Sequence, residues 1–288
     1  MSEPTMDHHR WGMVLARPRG LLTAEPFWSE TADGIEEGLQ HTQILFFLHQ
    51  VPGLQEELEV YRRWSAQGFV HGVILVNPLV NDPRPALVDQ LGLASLHAGV
   101  ETPAPGSASI VSDNVESTRR VLERLHALGH TRIARVSGPS HLAHTHIRNT
   151  VSRQIAQELG ISVRIVAGEY SEESGRRATA ELLGLPAAGR PTAIIYDNDT
   201  MALAGLATAS ALGMQVPDDV SLVAWDDSAS CQLASPPITA IAQDVHAFGR
   251  TIAQCVRRIE SGESSFEVPE PAHHWLRRAS VAEVSPPR

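Results

Sequence analysis

Two clusters of acidic and amide side chains stand directly after apolar segments of the sequence. Residues 193–196 are followed by Asp-Asn-Asp at 197–199, and residues 222–225 are followed by Asp-Asp at 226–227. Groups of this kind have three common uses. They hold a metal ion, attack phosphorus as a nucleophile, or form hydrogen bonds with the hydroxyl groups of a sugar. The elements that position the clusters decide among these uses.

Short β-rich segments alternate with helical patterns along the whole chain, which predicts an α/β protein with parallel sheets built from strand–helix–strand units. The predicted strands are Trp11–Ala16, Ile44–Leu48, Val73–Val76, Ser95–Ala98, Ile133–Ser137, Val163–Ala167, Ala193–Tyr196 and Leu222–Trp225. The predicted helices are Phe27–Gln40, Gln55–Gln67, Val115–Leu128, Gln154–Leu159, Glu173–Leu183 and Met201–Leu212. One sheet of ordinary size does not hold so many strands, and the segment at 103–106, Pro-Ala-Pro-Gly, suggests a division into two lobes.

Asn198 and Asp226 fall at the carboxyl ends of predicted strands. In open parallel sheets, ligands bind beyond these ends. A carboxylate accepts two hydrogen bonds and an amide both donates and accepts, which suits the vicinal hydroxyls of a sugar or polyol. Asp199 and Asp227 have a simpler use, because Asp at this position can cap the helix that follows, and a cap is also the alternative role of Asn198 and Asp226.

Composition excludes several classes of function. The chain has 288 residues, a formal net charge of -10, no lysine and no basic run, so we expect no nucleic-acid binding by these residues alone. No apolar signal peptide or membrane span is found, and Cys231 and Cys255 do not form a disulfide framework. A cytoplasmic protein without membrane contact is therefore predicted, with loose ends at residues 1–9 and 282–288.

Two further segments resemble an enzyme site and a metal site. The Asp197-Asn198-Asp199 segment is similar to the Asp-x-Asp of haloacid-dehalogenase-type phosphatases, but that Mg²⁺-dependent reaction usually needs a lysine and a nucleophile near the N-terminus. His141, His144 and His146 have metal-like spacing, without an adjacent Cys or carboxylate to complete the set. Phosphate-loop, dinucleotide and hydrolase signatures are absent from the sequence. We therefore predict no catalytic residue, no metal and no cofactor.

Several short motifs together resemble the lactose/galactose repressor (LacI/GalR) family of transcriptional regulators. They are Asp113-Asn114, Leu128-Gly129-His130, Ser137-Gly138-Pro139, residues 168–175, Asn198-Asp199-Thr200-Met201-Ala202, residues 216–223 and residues 236–244. The resemblance covers about residues 11–280, and this part of the chain is similar to the effector-binding core of that family. A homodimer is implied, with operator DNA bound only through a helix-turn-helix head that would precede Trp11 and is not in this chain.

The resemblance implies two doubly wound parallel-sheet lobes of the periplasmic-binding-protein-like (type I) fold, joined by three crossovers near residues 111, 243 and 271. One lobe comprises residues 10–111 and 244–271, the other residues 112–243 and 272–288, after a disordered leader at residues 1–9. An effector between the lobes would close them and change operator binding. The alternative with the same fold is a solute-binding protein for sugar uptake, and an Mg-dependent phosphatase is the more distant one.

By resemblance, Arg148 opens a family motif and Tyr170 is an aromatic residue of the binding site. Both therefore join Asn198 and Asp226 as predicted effector contacts. The predicted effector is a sugar, with a nucleoside as the less expected alternative. Further candidates are Phe27, Trp28 and His144. The sequence departs from the family pattern at four positions: Val151, Ser152, Asp197 and Trp225.

Overall fold

The computed structural model describes residues 9–17 and 26–284. In chain order the elements are β1 (His9–Ala16), α1 (Pro26–Leu39), β2 (Ile44–Val51), α2 (Leu54–Ala66), β3 (Gly72–Leu75), α3 (Arg84–Gln90), β4 (Ala94–Val100), β5 (Ala108–Val111), α4 (Asn114–Ala127), β6 (Arg132–Ser137), α5 (Ala143–Leu159), β7 (Ser162–Ala167), α6 (Glu172–Leu183), β8 (Ala193–Tyr196), α7 (Asp199–Ala211), β9 (Ser221–Trp225), α8 (Ala229–Leu233), β10 (Thr239–Ala242), α9 (Val245–Glu260), β11 (Phe266–Pro269) and β12 (His274–Leu276).

The chain forms two units, each with its own sheet. Unit 1 comprises residues up to Ser112 together with Asp244–Pro271, and unit 2 comprises Asp113–Gln243 and the residues from Ala272. The predicted leader at residues 1–9 lies outside the described residues, except that His9 begins β1. The Pro-Gly segment at 103–106 does not divide the units, since it lies inside unit 1 between β4 and β5.

Unit 1 contains a parallel sheet of strand order β11-β5-β4-β3-β1-β2. Helix α9 returns to this unit and buries Phe248, Ile252 and Val256, which repeat at helical spacing. It packs closely on α1, because a Cβ atom at Gly34 would lie 2.2 Å from the His246 carbonyl oxygen. Glycine there permits the two helix backbones to approach.

A buried ionic network ties the loop after β3 to α2 in unit 1. Arg84 is 3 % exposed. Its Nη1 atom donates to Glu57 at 2.9 Å and its Nη2 atom to Asp82 at 2.7 Å, with further bonds to two backbone carbonyls of the loop. Tyr61 donates to the same Glu57 carboxylate at 2.7 Å. Burial alone would raise the pKa of Asp82, but the Arg84 hydrogen bonds and charge outweigh it and hold that pKa below its usual value.

Unit 2 contains a sheet of strand order β12-β10-β9-β8-β6-β7, parallel except for the β10–β12 pair. Strands β8, β9 and β10 are buried throughout, as expected for strands covered on both faces. Asp113 precedes α4, and Gly129 follows it with a φ of 88°. The helix begins and ends within one residue of the predicted bounds Val115–Leu128.

The C-terminal residues that the sequence presents as loose are hydrogen-bonded as far as the structure describes them. The Val284 amide donates to the Leu128 carbonyl at 2.9 Å, and the Ala282 carbonyl lies 3.1 Å from Nε2 of His130. For residues 282–284, the prediction of a loose end is therefore wrong.

Within residues 9–17 and 26–284, no helix is both long enough and apolar enough to cross a membrane. Cys231 and Cys255 are buried free thiols. Burial raises their pKa to about 12 and about 11 respectively, so both are neutral packing groups rather than reactive thiolates.

Candidate functional site

The carboxyl ends of four parallel strands bring the predicted residues of unit 2 to one edge of its sheet. Gly138 and Asp226 follow β6 and β9 directly, Asn198 is the second residue after β8, and Tyr170 lies in the loop after β7. This edge is the position at which open α/β sheets bind ligands. His144 and Arg148 lie one helical turn apart on α5, which follows β6.

Asn198 performs a structural task at this edge. Its Oδ1 atom accepts a hydrogen bond from the Met201 amide at 2.9 Å, which caps α7, and its Nδ2 atom donates to the Tyr170 carbonyl at 3.0 Å. The prediction that Asp199 caps this helix is therefore wrong by one residue: Asp199 begins α7 and accepts from the neighbouring Thr200 amide. The Asn198 amide retains capacity for one further donor and one further acceptor bond.

Tyr170 is held from three sides. Its φ is 61°, in the left-handed region that few non-glycine residues adopt. Its hydroxyl lies 2.8 Å from Nε2 of His144, and its carbonyl accepts the Asn198 bond. Its ring lies against Gly138, where a Cβ atom would come within 2.3 Å of the phenol. These contacts fix the ring before any ligand arrives.

Asp226 lies at a sharp turn of the backbone. Its φ is 75°, its amide donates to the Ile241 carbonyl at 3.0 Å, and its side chain is half-buried. The neighbouring Asp227 differs. It forms a two-pronged ion pair with Arg278 at 2.6 and 2.7 Å, while Ser228 caps α8. Asp227 is therefore not the helix cap that the sequence suggests.

Arg148 is anchored at two points. Its Nε atom donates to Oδ1 of Asn114 at 2.7 Å, and its Cζ atom lies 3.7 Å from the centroid of a Trp225 ring. The side chain is 8 % exposed. Its two Nη groups form no hydrogen bond with the part of the chain that the structure describes. Arg148 therefore presents a fixed guanidinium with donor capacity to spare.

Asp197 is an ion-pair partner within the unit. It is 2 % exposed and accepts from Nη2 of Arg135 at 2.5 Å and from the Gly138 amide at 2.9 Å. Arg135 is also buried, and burial lowers its pKa in spite of the Asp197 charge. Two of its acceptor positions are therefore occupied by groups of the protein itself, which does not favour the nucleophile that the phosphatase alternative requires.

The two aromatic candidates of unit 1 contribute to packing. Trp28 is 5 % exposed and belongs to the hydrophobic core of the unit. The Phe27 ring lies 5.0 Å from the Trp28 ring and 6.1 Å from that of Phe248. Both contacts lie within unit 1, and a role for Phe27 or Trp28 in effector binding stays a prediction.

In the histidine segment, His144 bonds Tyr170. Among the residues that the structure describes, no group of three or more His, Cys, Asp or Glu side chains is placed to hold a metal.

Sequence reasoning did not assign two residues that hold Arg148, namely Asn114 and Trp225. The sequence carries a signal for each of them, since Asn114 stands in a motif similar to one of the family and Trp225 directly precedes Asp226.

Comparisons with known proteins identify the family of the chain. A family model described as a periplasmic binding protein-like domain matches residues 122–281. A solved LacI family transcriptional regulator from Bifidobacterium animalis subsp. lactis is 33 % identical, with a TM-score of 0.87, and the alignment covers 96 % of this chain and 98 % of that one.

The transcriptional regulator CelR is similar in both sequence and structure. The curated CelR of Thermobifida fusca is 28 % identical over 259 residues, which are 88 % of this chain and 75 % of CelR. A solved CelR–cellobiose complex is 27 % identical, with a TM-score of 0.84, and covers 95 % of this chain and 85 % of that one. The matched relatives are regulators rather than enzymes. The chain therefore belongs to the LacI/GalR family of transcriptional regulators, and its two doubly wound units are a periplasmic-binding-protein-like, effector-sensing core.

Proposed function

We propose that the effector is a sugar or a related polyol and that it binds at the carboxyl edge of the unit 2 sheet. One observation carries the proposal. Arg148 is held by Asn114 and Trp225 while its two Nη groups form no hydrogen bond within the described ranges. A donor that is fixed in advance loses little entropy when a ligand binds, which favours recognition of a polar molecule.

The neighbouring groups complete a set suited to hydroxyls. The Asp226 carboxylate would accept hydrogen bonds from vicinal hydroxyls, and the Arg148 guanidinium would donate to ring or hydroxyl oxygens. Tyr170 offers an aromatic ring for the C–H face of a sugar, and His144 fixes the Tyr170 hydroxyl. Asn198 acts chiefly by holding Tyr170, with its remaining hydrogen-bonding capacity available to the ligand. The CelR–cellobiose complex supports the sugar class, since it shows a relative with a bound disaccharide.

The regulatory step follows from thermodynamics. A ligand shifts an equilibrium only if it binds the two states with different affinities. The sugar would therefore control operator DNA by binding one state of the regulator more tightly, with the DNA contacted through a basic helix-turn-helix head and not through this acidic core. Matched relatives that are named regulators and repressors favour this function over sugar uptake.

We also propose a homodimer, and helix α7 of unit 2 supports it. From Thr200 to Met214 the sequence has no charged residue. The outward positions of this helix are Leu203, Leu206, Ala207 and Ser210, which are half-buried or exposed. A helix side without charge, beside solvent in a single chain, fits the self-complementary interface of a two-fold dimer.

The proposed effector class is tested by a thermal-shift screen. The panel contains neutral sugars including cellobiose and ribose, sugar phosphates, and nucleosides. A true effector at a hundred times its dissociation constant adds about 2.7 kcal/mol of stability. We expect the shift with a neutral sugar. A shift with nucleosides alone would overturn the sugar class, and turnover of a phosphate ester with Mg²⁺ would overturn the regulatory function altogether.

A further inference from the structure

A cavity of unit 2 lies between helix α4 and the β10–β12 edge of the sheet. Its volume is about 530 Å³, within the usual range of small-molecule sites. Ser117, Arg120 and Arg124 of α4 form one wall, and Ile241 of β10 and Trp275 of β12 form the other. None of the four proposed effector contacts lines it.

A buried hydroxyl in this cavity lacks a partner. Ser117 is 2 % exposed, and its Oγ atom forms no hydrogen bond with any described part of the chain. Buried polar atoms nearly always have a partner, and an isolated one costs free energy. A ligand oxygen in the cavity would supply the missing acceptor or donor.

The charges around the cavity favour an anion. Arg120 is engaged by Glu116 at 2.9 Å, and the lining Glu123 lies 3.6 Å from Arg119. Arg124, in contrast, has no acidic partner within ion-pair distance among residues 9–17 and 26–284. Its guanidinium is left as the uncompensated charge of the wall, and guanidinium groups bind carboxylates and phosphates through paired hydrogen bonds.

A buried histidine adds a neutral polar group. His273 lines the cavity and is 7 % exposed. Burial, assisted by the nearby charge of Arg148, lowers the pKa of His273 to about 3. At neutral pH its imidazole is uncharged, and the positive character of the cavity therefore comes from arginine.

The rest of the lining is apolar. Val121 and Ile241 are buried, and the half-buried Trp275 offers an aromatic side chain. We propose that this cavity is an accessory ligand site for a small organic anion, in which Arg124 and Ser117 bind a carboxylate or phosphate group and Trp275 contacts a flat or apolar body. Its lining includes none of the four proposed effector contacts, although the His273 ring of its wall lies 5.7 Å from the Trp225 ring. Its occupant is recognised by charge rather than by vicinal hydroxyls.

Phenyl phosphate is a suitable probe, with phenol as its uncharged counterpart. We expect saturable binding of phenyl phosphate by calorimetry and none of phenol. Arg124→Gln removes the exposed cation without touching the core, and loss of one charged hydrogen-bonding partner lowers affinity about tenfold or more. Arg153→Gln is the control, because it makes the same charge change at an exposed position of unit 2 that does not line the cavity. Its affinity should stay within about twofold of the wild type.

A further variant distinguishes ligand binding in the cavity from ligand binding at the proposed effector site. Asp226→Asn should leave phenyl phosphate affinity unchanged, because Asp226 does not line the cavity. Absence of saturable binding at millimolar concentration would overturn the proposal. So would equal losses in Arg124→Gln and Arg153→Gln, equal binding of phenol, or abolition of binding by Asp226→Asn.

Discussion

The guanidinium of Arg148 lies over the indole of Trp225, with 3.7 Å between its Cζ atom and the ring centroid. Asp226, the proposed acceptor of sugar hydroxyls, is the next residue after Trp225 in the chain. The aromatic residue that contacts the proposed donor therefore stands next to the proposed acceptor in the chain. A cation over an aromatic face is stabilised by about 0.5–2 kcal/mol, more when it is shielded from water.

Replacing Arg148 by Lys tests the importance of this geometry. Lys keeps the charge but lacks the planar group that contacts Trp225 and the Nε atom that bonds Asn114. We expect Arg148→Lys to weaken sugar binding about tenfold or more, as for the loss of a charged hydrogen bond. The measurement is calorimetric titration with the sugar that the thermal-shift screen identifies.

The exposed Arg153 of the same helix provides the control. Arg153→Lys should bind the sugar as the wild type does. Unaltered affinity in Arg148→Lys would show that the fixed guanidinium plays no part in recognition.

Much of the fold was predictable because its strands are short apolar segments with β-branched residues. All eight predicted strands are present, with ends shifted by a few residues. Helix α9 was missed, although Phe248, Ile252 and Val256 show its period. Strands β11 and β12 have only four and three residues. Pairing with a neighbouring strand, not local sequence, defines elements of that length.

The site was predictable in its location but not in its bonding. Strand ends locate Asn198 and Asp226, since parallel strands present their carboxyl ends at one edge. The partners of each side chain depend on residues distant in sequence. Asn198 bonds the carbonyl of Tyr170, and Arg148 bonds Asn114. No local pattern distinguishes the cap at Asn198 from one at Asp199, because both residues are favourable caps.

The stability of unit 1 should depend on its buried ionic network. Arg84→Met keeps the aliphatic volume but leaves the Glu57 carboxylate, 1 % exposed, without its cation. Removing one partner of a buried pair costs about 3–5 kcal/mol. The free energy of urea unfolding measures this loss, and the exposed Arg153→Met is its control. A loss below about 1 kcal/mol, the level of a surface ion pair, would contradict the network's role.

Acid should destabilise the protein through its buried histidines. Burial lowers the pKa of His273 to about 3, and that of His130 and His97 below the usual value. In the unfolded state these histidines bind protons near pH 6.5, while in the folded state they remain neutral at that pH. The contribution of these histidines to the free energy of unfolding is therefore fully present above about pH 6.5 and is lost as the pH falls. For His273 the loss is up to about 1.4 kcal/mol for each pH unit.

The variant His273→Asn should reduce this dependence. Unfolding by urea at several pH values between 7 and 4 gives the slope for each protein. We expect a shallower slope in the variant than in the wild type. Identical slopes would show that His273 does not remain neutral in the folded state.

The proposed dimer is tested on helix α7. Ala207 is exposed in the single chain and lies on the uncharged side of this helix. Ala207→Arg should produce a monomer in light scattering, because an unpaired charge in an interface is costly to desolvate. The same change at Ala187, exposed in the loop before β8, should leave the dimer intact. A dimeric Ala207→Arg variant would exclude this face as the interface.

The most direct test of the account is sugar titration of Asp226→Asn. Asn tolerates the left-handed backbone that Asp226 adopts, so the change removes the charge without straining the turn, and the exposed Asp218→Asn is the control. We predict that affinity for the identified sugar falls by about tenfold to a hundredfold in Asp226→Asn, with the fold retained, as for a lost charged hydrogen bond. Sugar affinity equal to that of wild type and Asp218→Asn would contradict the placement of the effector at this sheet edge.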